Sequence, residues 1–339
     1  MKVNKEQLLK ALEIVKPGLA NKEKLEQSTS FAFINGRVAT YNDSISVSHP
    51  VEGLEIEGAI LAENLYKFLG KIKTEEIDLT LKGNEIILTS DKAKAGLLLQ
   101  TEIKLPLDEE VSEKGKWHTL PENFLVALSF VMTACTRDMS RPVLTCVHIN
   151  DKGFFEGSDG YRIARYELEQ ELPISTFLLP ATSAIEVHKL NPIKVSEGNG
   201  WVHFKTESGT IISCRILQDK YPRTDSYFTQ EGTKVVLPKT IEEILLRAMV
   251  FAKRDHLMDE SIIVTVQDET ITLAAKSDTA WFKEEAKIKY QGSVIKFDTV
   301  PYLLKGILSD TRVFYHTKDK LSFRGEKWQY VTPLRQIKE

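Results

Sequence analysis

A segment of about 115 residues occurs three times along this chain, and few folds accommodate such a repeat. The stretches Phe31–Asp43, Cys146–Asp159 and Val264–Asp278 share one pattern: an apolar strand, a polar turn, a second strand and an acidic turn. Their closing aspartates, Asp43, Asp159 and Asp278, stand 116 and 119 residues apart. A repeat of this length points to a symmetric assembly, which catalysis alone does not require.

The flanking segments keep step. An amphipathic helix opens each copy, over Lys5–Lys16, Pro121–Arg137 and Lys239–Arg254. In the last of these, Ile241, Ile244, Leu245, Ala248 and Met249 recur at helical spacing. After the hairpin, a short apolar strand runs into a second helix over Ala59–Leu69, Phe177–Val187 and Val294–Leu304. Two more strands around a polar turn then follow, over Ile77–Ser90, Ile193–Thr206 and Val313–Arg324. The alternation predicts an α+β fold of three tandem repeats, each with two helices backed by antiparallel sheets. The expected domains are residues 1–112, 113–232 and 233–339, joined by a charged linker over Asp108–Lys116 and a polar one over Thr229–Thr233.

No apolar run approaches the length of a membrane span, and the opening Met1–Lys5 lacks the core of a signal peptide. Three cysteines, Cys135, Cys146 and Cys214, have no metal-ligand spacing, and an odd number argues against a disulfide framework. A reducing cytoplasm is the expected compartment. No glycine-rich phosphate cradle or nucleophile elbow is present; the turn Glu197–Trp201 only resembles the former. His148, His188 and His203 lack an ordered set of metal-type partners. Glu156 and Asp159 could be paired carboxylates, but Asp159-Gly160 is also an ordinary turn dipeptide. The expectation is a chain without enzymatic activity, metal or cofactor.

A net charge of −3 hides an uneven distribution. Basic residues recur on or just after the helices: Lys10, Lys22, Lys24, Lys71, Lys73, Arg137, Arg141, Lys189, Arg247, Lys253 and Arg254. Acidic residues gather elsewhere, as at Asp108–Glu110 and Glu284-Glu285. Singly, such lysines are solvated helix faces. If the repeat turns all six helices to one surface, they attract a phosphate backbone without reading its sequence.

Several segments are similar to a known family. Glu156–Ala164 resembles the T-D-G-H-R-L-A segment of the bacterial DNA polymerase III beta subunit, the sliding clamp. Phe177–Ala181 resembles that family's V-I-V-P-R/K, Arg215–Pro222 its L-I-D-G-K/R-F-P-D-Y, and Tyr330–Arg335 its closing Y-V-V-M-P-M-R-L. The opening Met1–Leu12 matches the family's first helix. There are departures. Tyr161 replaces the family's histidine, Ser226 and Tyr227 fall where it has arginine and valine, and Gln336 stands at its last apolar position. A divergent member is expected, with a bacterial or a phage source left open.

The resemblance implies a head-to-tail homodimer of six similar domains with helices lining a central hole. It implies a processivity factor that encircles double-stranded DNA, tethers a DNA polymerase and is opened by a separate clamp loader. It also implies a pocket for short apolar peptides, lined by Leu144, Gly160, Tyr161, Arg162, Ile163, Pro222, Asp298, Val331, Thr332, Pro333, Leu334 and Arg335. For the ring contact, the strand carrying Lys92, Lys94, Leu97 and Leu99 is expected to meet Phe251 and the strand bearing Glu284 and Glu285 in a second copy. An open scaffold that binds DNA or protein without encircling anything is the competing expectation.

Overall fold

The computed structural model describes residues 1–107 and 115–335. The expected boundary at 112/113, most of the linker from Asp108 and the residue Gln336 lie outside them. The first copy runs β1 (Lys2–Asn4), α1 (Lys5–Val15), β2 (Ser30–Ile34), β3 (Arg37–Tyr41), β4 (Ile45–Pro50), β5 (Gly58–Leu61), α2 (Ala62–Leu69), β6 (Glu76–Lys82), β7 (Glu85–Ser90) and β8 (Ala93–Leu98). The second runs β9 (His118–Thr119), α3 (Phe124–Met132), β10 (Cys146–Ile149), β11 (Phe154–Ser158), β12 (Ile163–Glu167), β13 (Phe177–Pro180), α4 (Ala181–Leu190), β14 (Lys194–Glu197), β15 (Trp201–Lys205) and β16 (Ile211–Arg215). The third runs β17 (Thr233–Val236), α5 (Ile241–Ala252), β18 (Ile262–Gln267), β19 (Thr270–Lys276), β20 (Trp281–Lys287), β21 (Ile295–Thr299), α6 (Pro301–Lys305), β22 (Val313–His316), β23 (Lys320–Arg324) and β24 (Trp328–Pro333). The element order is the same three times over, so the α+β repeat read from the hydrophobic pattern is the architecture of the chain.

The contacts gather into two compact units. Unit 1 comprises Met1–Ser129, Asn150–Lys152 and Gln170–Asp219. It holds a four-stranded sheet, β1-β6-β7-β8, and an eight-stranded sheet, β5-β2-β3-β4-β16-β15-β14-β9. Helix α1 is capped by Asn4, whose side chain accepts a hydrogen bond from the Gln7 N–H. It buries Leu8, Ala11, Leu12 and Val15, which share one face. In the large sheet Tyr41 and Trp201 pack with ring centroids 6.0 Å apart.

Unit 2 comprises Phe130–Ile149, Gly153–Glu169 and Lys220–Glu339. Its strands run β10-β11-β12-β24-β23-β22-β17 in one sheet and β20-β19-β18-β21 in another. Helix α5 buries Ile241, Ile244, Leu245, Ala248 and Ala252 against the smaller sheet. It stops at Ala252, where the Arg254 guanidinium takes the carbonyls of Ala252, Lys253 and Lys276. Helix α3 is shorter than its apolar pattern suggests. The Thr136 N–H turns away to the Leu144 carbonyl, and the Thr133 carbonyl accepts from Arg162. Both groups are thereby lost to a continuing helix.

The end of α3 presses directly on the sheet at Gly157 of β11. A Cβ there would lie 2.1 Å from the Val131 carbonyl oxygen and 3.0 Å from the Cys135 sulfur. Only glycine permits this approach. Gly157→Val is therefore expected to lower stability by about 3 kcal/mol through overpacking, measured as a lower denaturant midpoint.

Candidate functional site

All twelve residues of the expected peptide pocket fall within unit 2. The turn between β11 and β12 supplies three of them, Gly160, Tyr161 and Arg162. Asp159 accepts the N–H groups of Tyr161 and Arg162 through Oδ1, at 2.9 and 3.0 Å. Gly160 sits at φ +88, a left-handed conformation that suits glycine. Ser158 closes the turn by donating to the Arg162 carbonyl. The local sequence thus fixes a tight loop whose outer residues, Gly160 and Tyr161, are exposed; Tyr161 keeps 44% of its surface.

Arg162 points inward instead. Its Nε donates to Asp159 Oδ2 at 2.9 Å, and Nη2 donates to the Thr133 carbonyl at 2.8 Å and the Tyr302 hydroxyl at 3.0 Å. Burial favours loss of its proton, but Tyr330 and Asp159 outweigh that and hold the guanidinium charged. Arg162 therefore ties the turn to the end of α3 and to α6.

Beside the turn, Ile163 lies opposite Val331 in the β12–β24 ladder. The Thr332 hydroxyl donates to the Tyr161 carbonyl at 3.3 Å. Leu144 lies 4.0 Å from where a Cβ on Gly160 would stand. The Arg335 N–H donates to the Asp298 carbonyl at 3.0 Å, and the Leu334 N–H to the Asp319 carbonyl at 2.8 Å. The accessible members are Gly160, Tyr161, Pro222 and Pro333; Leu144, Ile163, Asp298, Leu334 and Arg335 are half-buried. Arg162, Val331 and Thr332 are buried beneath them.

Pro222 stands on a segment held by groups that sequence reasoning did not connect. Glu156, on β11, is buried. It accepts from Arg165 Nε at 2.9 Å and Nη2 at 2.8 Å, and from the Thr224 hydroxyl. Its other oxygen is 3.0 Å from His148 Nδ1. Arg165 also reaches Asp225 at 2.7 Å and lies 4.2 Å from the Phe228 ring centroid. Tyr221 stacks on His148, with centroids 4.7 Å apart. One buried carboxylate and its partners thus moor residues 221–228. The legible signal was cross-strand pairing: Glu156 and Arg165 are direct partners in the β11–β12 hairpin. Asp159 and Glu156, which could form a carboxylate pair by sequence, are each engaged by an arginine, Asp159 by Arg162 and Glu156 by Arg165.

The basic residues expected to face DNA are all exposed. Lys10, Lys22, Lys24, Lys71, Lys73 and Lys189 belong to unit 1, and Arg137, Arg141, Arg247, Lys253 and Arg254 to unit 2. Some are engaged within the chain. Lys189 meets Glu186 at 2.8 Å, and Arg254 is spent on the end of α5. Arg247, expected at DNA, makes a two-pronged bond at 2.8 and 2.7 Å to Glu284, expected at the ring contact.

For the ring contact, β8 and β20 each lie at the end of a four-stranded sheet. Lys92 just precedes β8, Lys94 and Leu97 lie on it and Leu99 just follows it; the two lysines are exposed, Leu97 is half-buried and Leu99 is buried. On β20, Glu285 is exposed and pairs with Lys283 at 2.8 Å. Phe251 is half-buried and stacks on Phe282 of its own chain, centroids 5.5 Å apart. Among the described residues no group of three or more His, Cys, Asp or Glu side chains is placed to hold a metal. Among them, no helix is long and apolar enough to cross a membrane.

No protein-family model matches the chain, and no curated protein does. Solved structures do. The chain superposes on the beta subunit of DNA polymerase from Streptococcus pyogenes with a TM-score of 0.87 at 18% identity, covering 99% of each chain. For DNA polymerase III beta from Thermotoga maritima the values are 0.84 and 17%, again over 99% of both. For the sliding clamp of Pseudomonas aeruginosa, in its bound form with griselimycin, they are 0.86 and 14% over 99% of both. The chain has the sliding-clamp fold over 99% of its length.

The charge cluster at Glu156 makes a testable demand. Burial raises its pKa, but hydrogen bonds from His148 and Thr224 and the charge of Arg165 outweigh this, and the net value lies below the ordinary one. A depressed carboxylate adds stability above its unfolded pKa of about 4.3, and that stability is lost as pH falls through the lower folded value. Glu156→Gln leaves Arg165 half-compensated and is expected to cost about 3 kcal/mol at neutral pH. Thermal melts below about pH 5 should show wild type losing more stability on acidification than Glu156→Gln does.

Proposed function

We infer that this chain is a DNA sliding clamp, a processivity factor of which two copies join head to tail around duplex DNA. The observation that carries the reading is the pattern of sheet edges. Inside the chain, the last strand of one half-sheet pairs with the last strand of another twice: β4 with β16, and β12 with β24. Among the described residues, the same two kinds of edge recur once more without a mate, as β20 and β8. A second copy supplies each mate, and two such junctions close a ring. In it, residues 1–112, 113–232 and 233–339 act as three like domains, so the ring has six.

Enclosure explains how a chain of net charge −3 keeps hold of a polyanion. A closed ring stays on DNA by topology, so the exposed lysines and arginines need only be weak, sequence-independent contacts. No bond is made or broken, and no cofactor is required. Opening the ring belongs to a loader, and the compartment is the cytoplasm. The surface around Gly160, Tyr161, Leu144 and Pro333 receives a short apolar peptide from a polymerase.

The reading has two tests. Light scattering after gel filtration should give a particle of twice 38.4 kDa. Loaded rings should remain on closed circular DNA and run off linear DNA within the same time; an open scaffold leaves both equally fast. For the pocket, Leu144→Glu is expected to weaken binding of an apolar polymerase-tail peptide at least tenfold while the particle mass stays unchanged. Unaltered peptide affinity places the partner surface elsewhere.

A further inference from the structure

The two open edges carry opposite anomalies. Trp281, the first residue of β20, is 72% exposed. Gly96 lies in the middle of β8, where glycine weakens a strand. Nothing among the described residues of its own chain calls for it. Its φ lies outside the left-handed region, and a Cβ there would make ordinary contacts, 3.4 Å from Ile87 Cδ1 and 3.5 Å from Glu85 Oε2.

The internal junctions fix how the open edges would meet. Three hairpins close in the same way, with four residues between the last paired positions: Tyr41 with Ser46, Ser158 with Ile163, and Lys276 with Trp281. Trp281 is thus the counterpart of Ser46 and Ile163. The opposing half-sheets also share one ladder. Thr80, Ile87 and Gly96 stand abreast, as do Ser196, His203 and Ser213, and Tyr315, Ser322 and Val331. In each, the first two residues are seven apart. Gly96 is thus the counterpart of Ser213 and Val331. Ser46 pairs with Ser213, and Ile163 pairs with Val331.

We propose that Trp281 of one copy lies directly across from Gly96 of a second copy, and that this aromatic-over-glycine pair sets the register of the ring junction. This deepens the clamp reading and rests on it. The indole covers the bare backbone of Gly96, and the missing side chain leaves room for the ring. At both internal junctions the residues in these positions are buried or half-buried, so the second copy gives Trp281 the cover that its counterparts already have. The same register sets Lys92 opposite Glu285. It also sets Lys94 opposite Lys283, with Glu285, which already pairs with Lys283, on the diagonal. A slip of two residues would leave Trp281 facing the side chain of Lys94 or Leu98, and Gly96 uncovered.

Register is read by cross-linking. Each copy carries Lys283→Cys with Lys94→Cys, or Lys283→Cys with Lys92→Cys, and is mildly oxidised at a concentration where wild type is dimeric. The native thiols are a quiet background, since burial raises the pKa of Cys135, Cys146 and Cys214; unaltered chain is the blank. The expected result is a covalent dimer at least tenfold faster with Lys94→Cys than with Lys92→Cys. In addition, Gly96→Val should raise the dimer dissociation constant at least tenfold without lowering the melting temperature of the dilute monomer. Trp281→Ala should weaken the dimer in the Gly96 chain and have little further effect once Gly96→Val is present. Dimers that cross-link faster through Lys92→Cys, or that tolerate Gly96→Val, overturn the register while the ring stands. A wild-type chain that is monomeric at every concentration removes the ring and this pairing together.

Discussion

A strand at the edge of a sheet exposes a row of backbone N–H and C=O groups, and those groups must find partners or be guarded. In this chain that requirement organises each unit. Half-sheets of four strands are joined edge to edge into sheets of eight. In unit 1, β4 accepts β16 over Ile45–Ser48 and Ile211–Cys214. In unit 2, β12 accepts β24 over Ile163–Tyr166 and Trp328–Val331. These junctions consume backbone hydrogen bonds that would otherwise be solvated, and they impose an antiparallel register that the flanking hairpins share. The helices are then left to cover one face of each sheet, as α1 does with Leu8, Ala11, Leu12 and Val15.

The second junction also builds the candidate site. Joining β12 to β24 brings Ile163 beside Val331 and lets Thr332 reach the Tyr161 carbonyl. What holds the exposed rim in place is a layer of buried charge. Arg162 anchors the turn from beneath, and Glu156 with Arg165 moors the segment that carries Pro222. A buried ion pair contributes little net stability over apolar residues of the same size, but removing one partner is costly. Such a layer specifies one arrangement of loops more than it stabilises the fold. The proposed peptide surface needs that property, because a peptide that must order its own receptor binds weakly.

How much of this was legible follows from which forces are local. The strands, the helices and the threefold order came from periodicity, because side-chain alternation and helical spacing are properties of neighbouring residues. The Asp159-Gly160 turn was legible for the same reason. The reach of α3 was not. Its apolar run continues beyond Met132, but Thr136 is diverted by Leu144 and Thr133 by Arg162, and both partners arrive through tertiary contact. The pairing of Arg247 with Glu284 was missed too, since each had been assigned separately by its sign of charge. Glu156 could have been matched to Arg165 across the hairpin, but its burial depends on Thr224, 68 residues further along.

The basic residues show the limit of reading charge from sequence. Some of those on helices are satisfied at home: Lys67 by Glu63, Lys189 by Glu186, Arg247 by Glu284. Exposed pairs of this kind add little, so a phosphate can displace them, but each displacement forfeits part of its own gain. The cations that follow the helices, such as Lys22, Lys24, Lys71, Lys73 and Arg137, are exposed at loop positions. A phosphate contact at these positions is made by a long side chain on a loop and not by a helix face. Contacts of that sort are soft, salt-sensitive and indifferent to sequence. In the proposed ring, contacts of that kind would let DNA slide, and retention would fall to the strand-to-strand closure between copies.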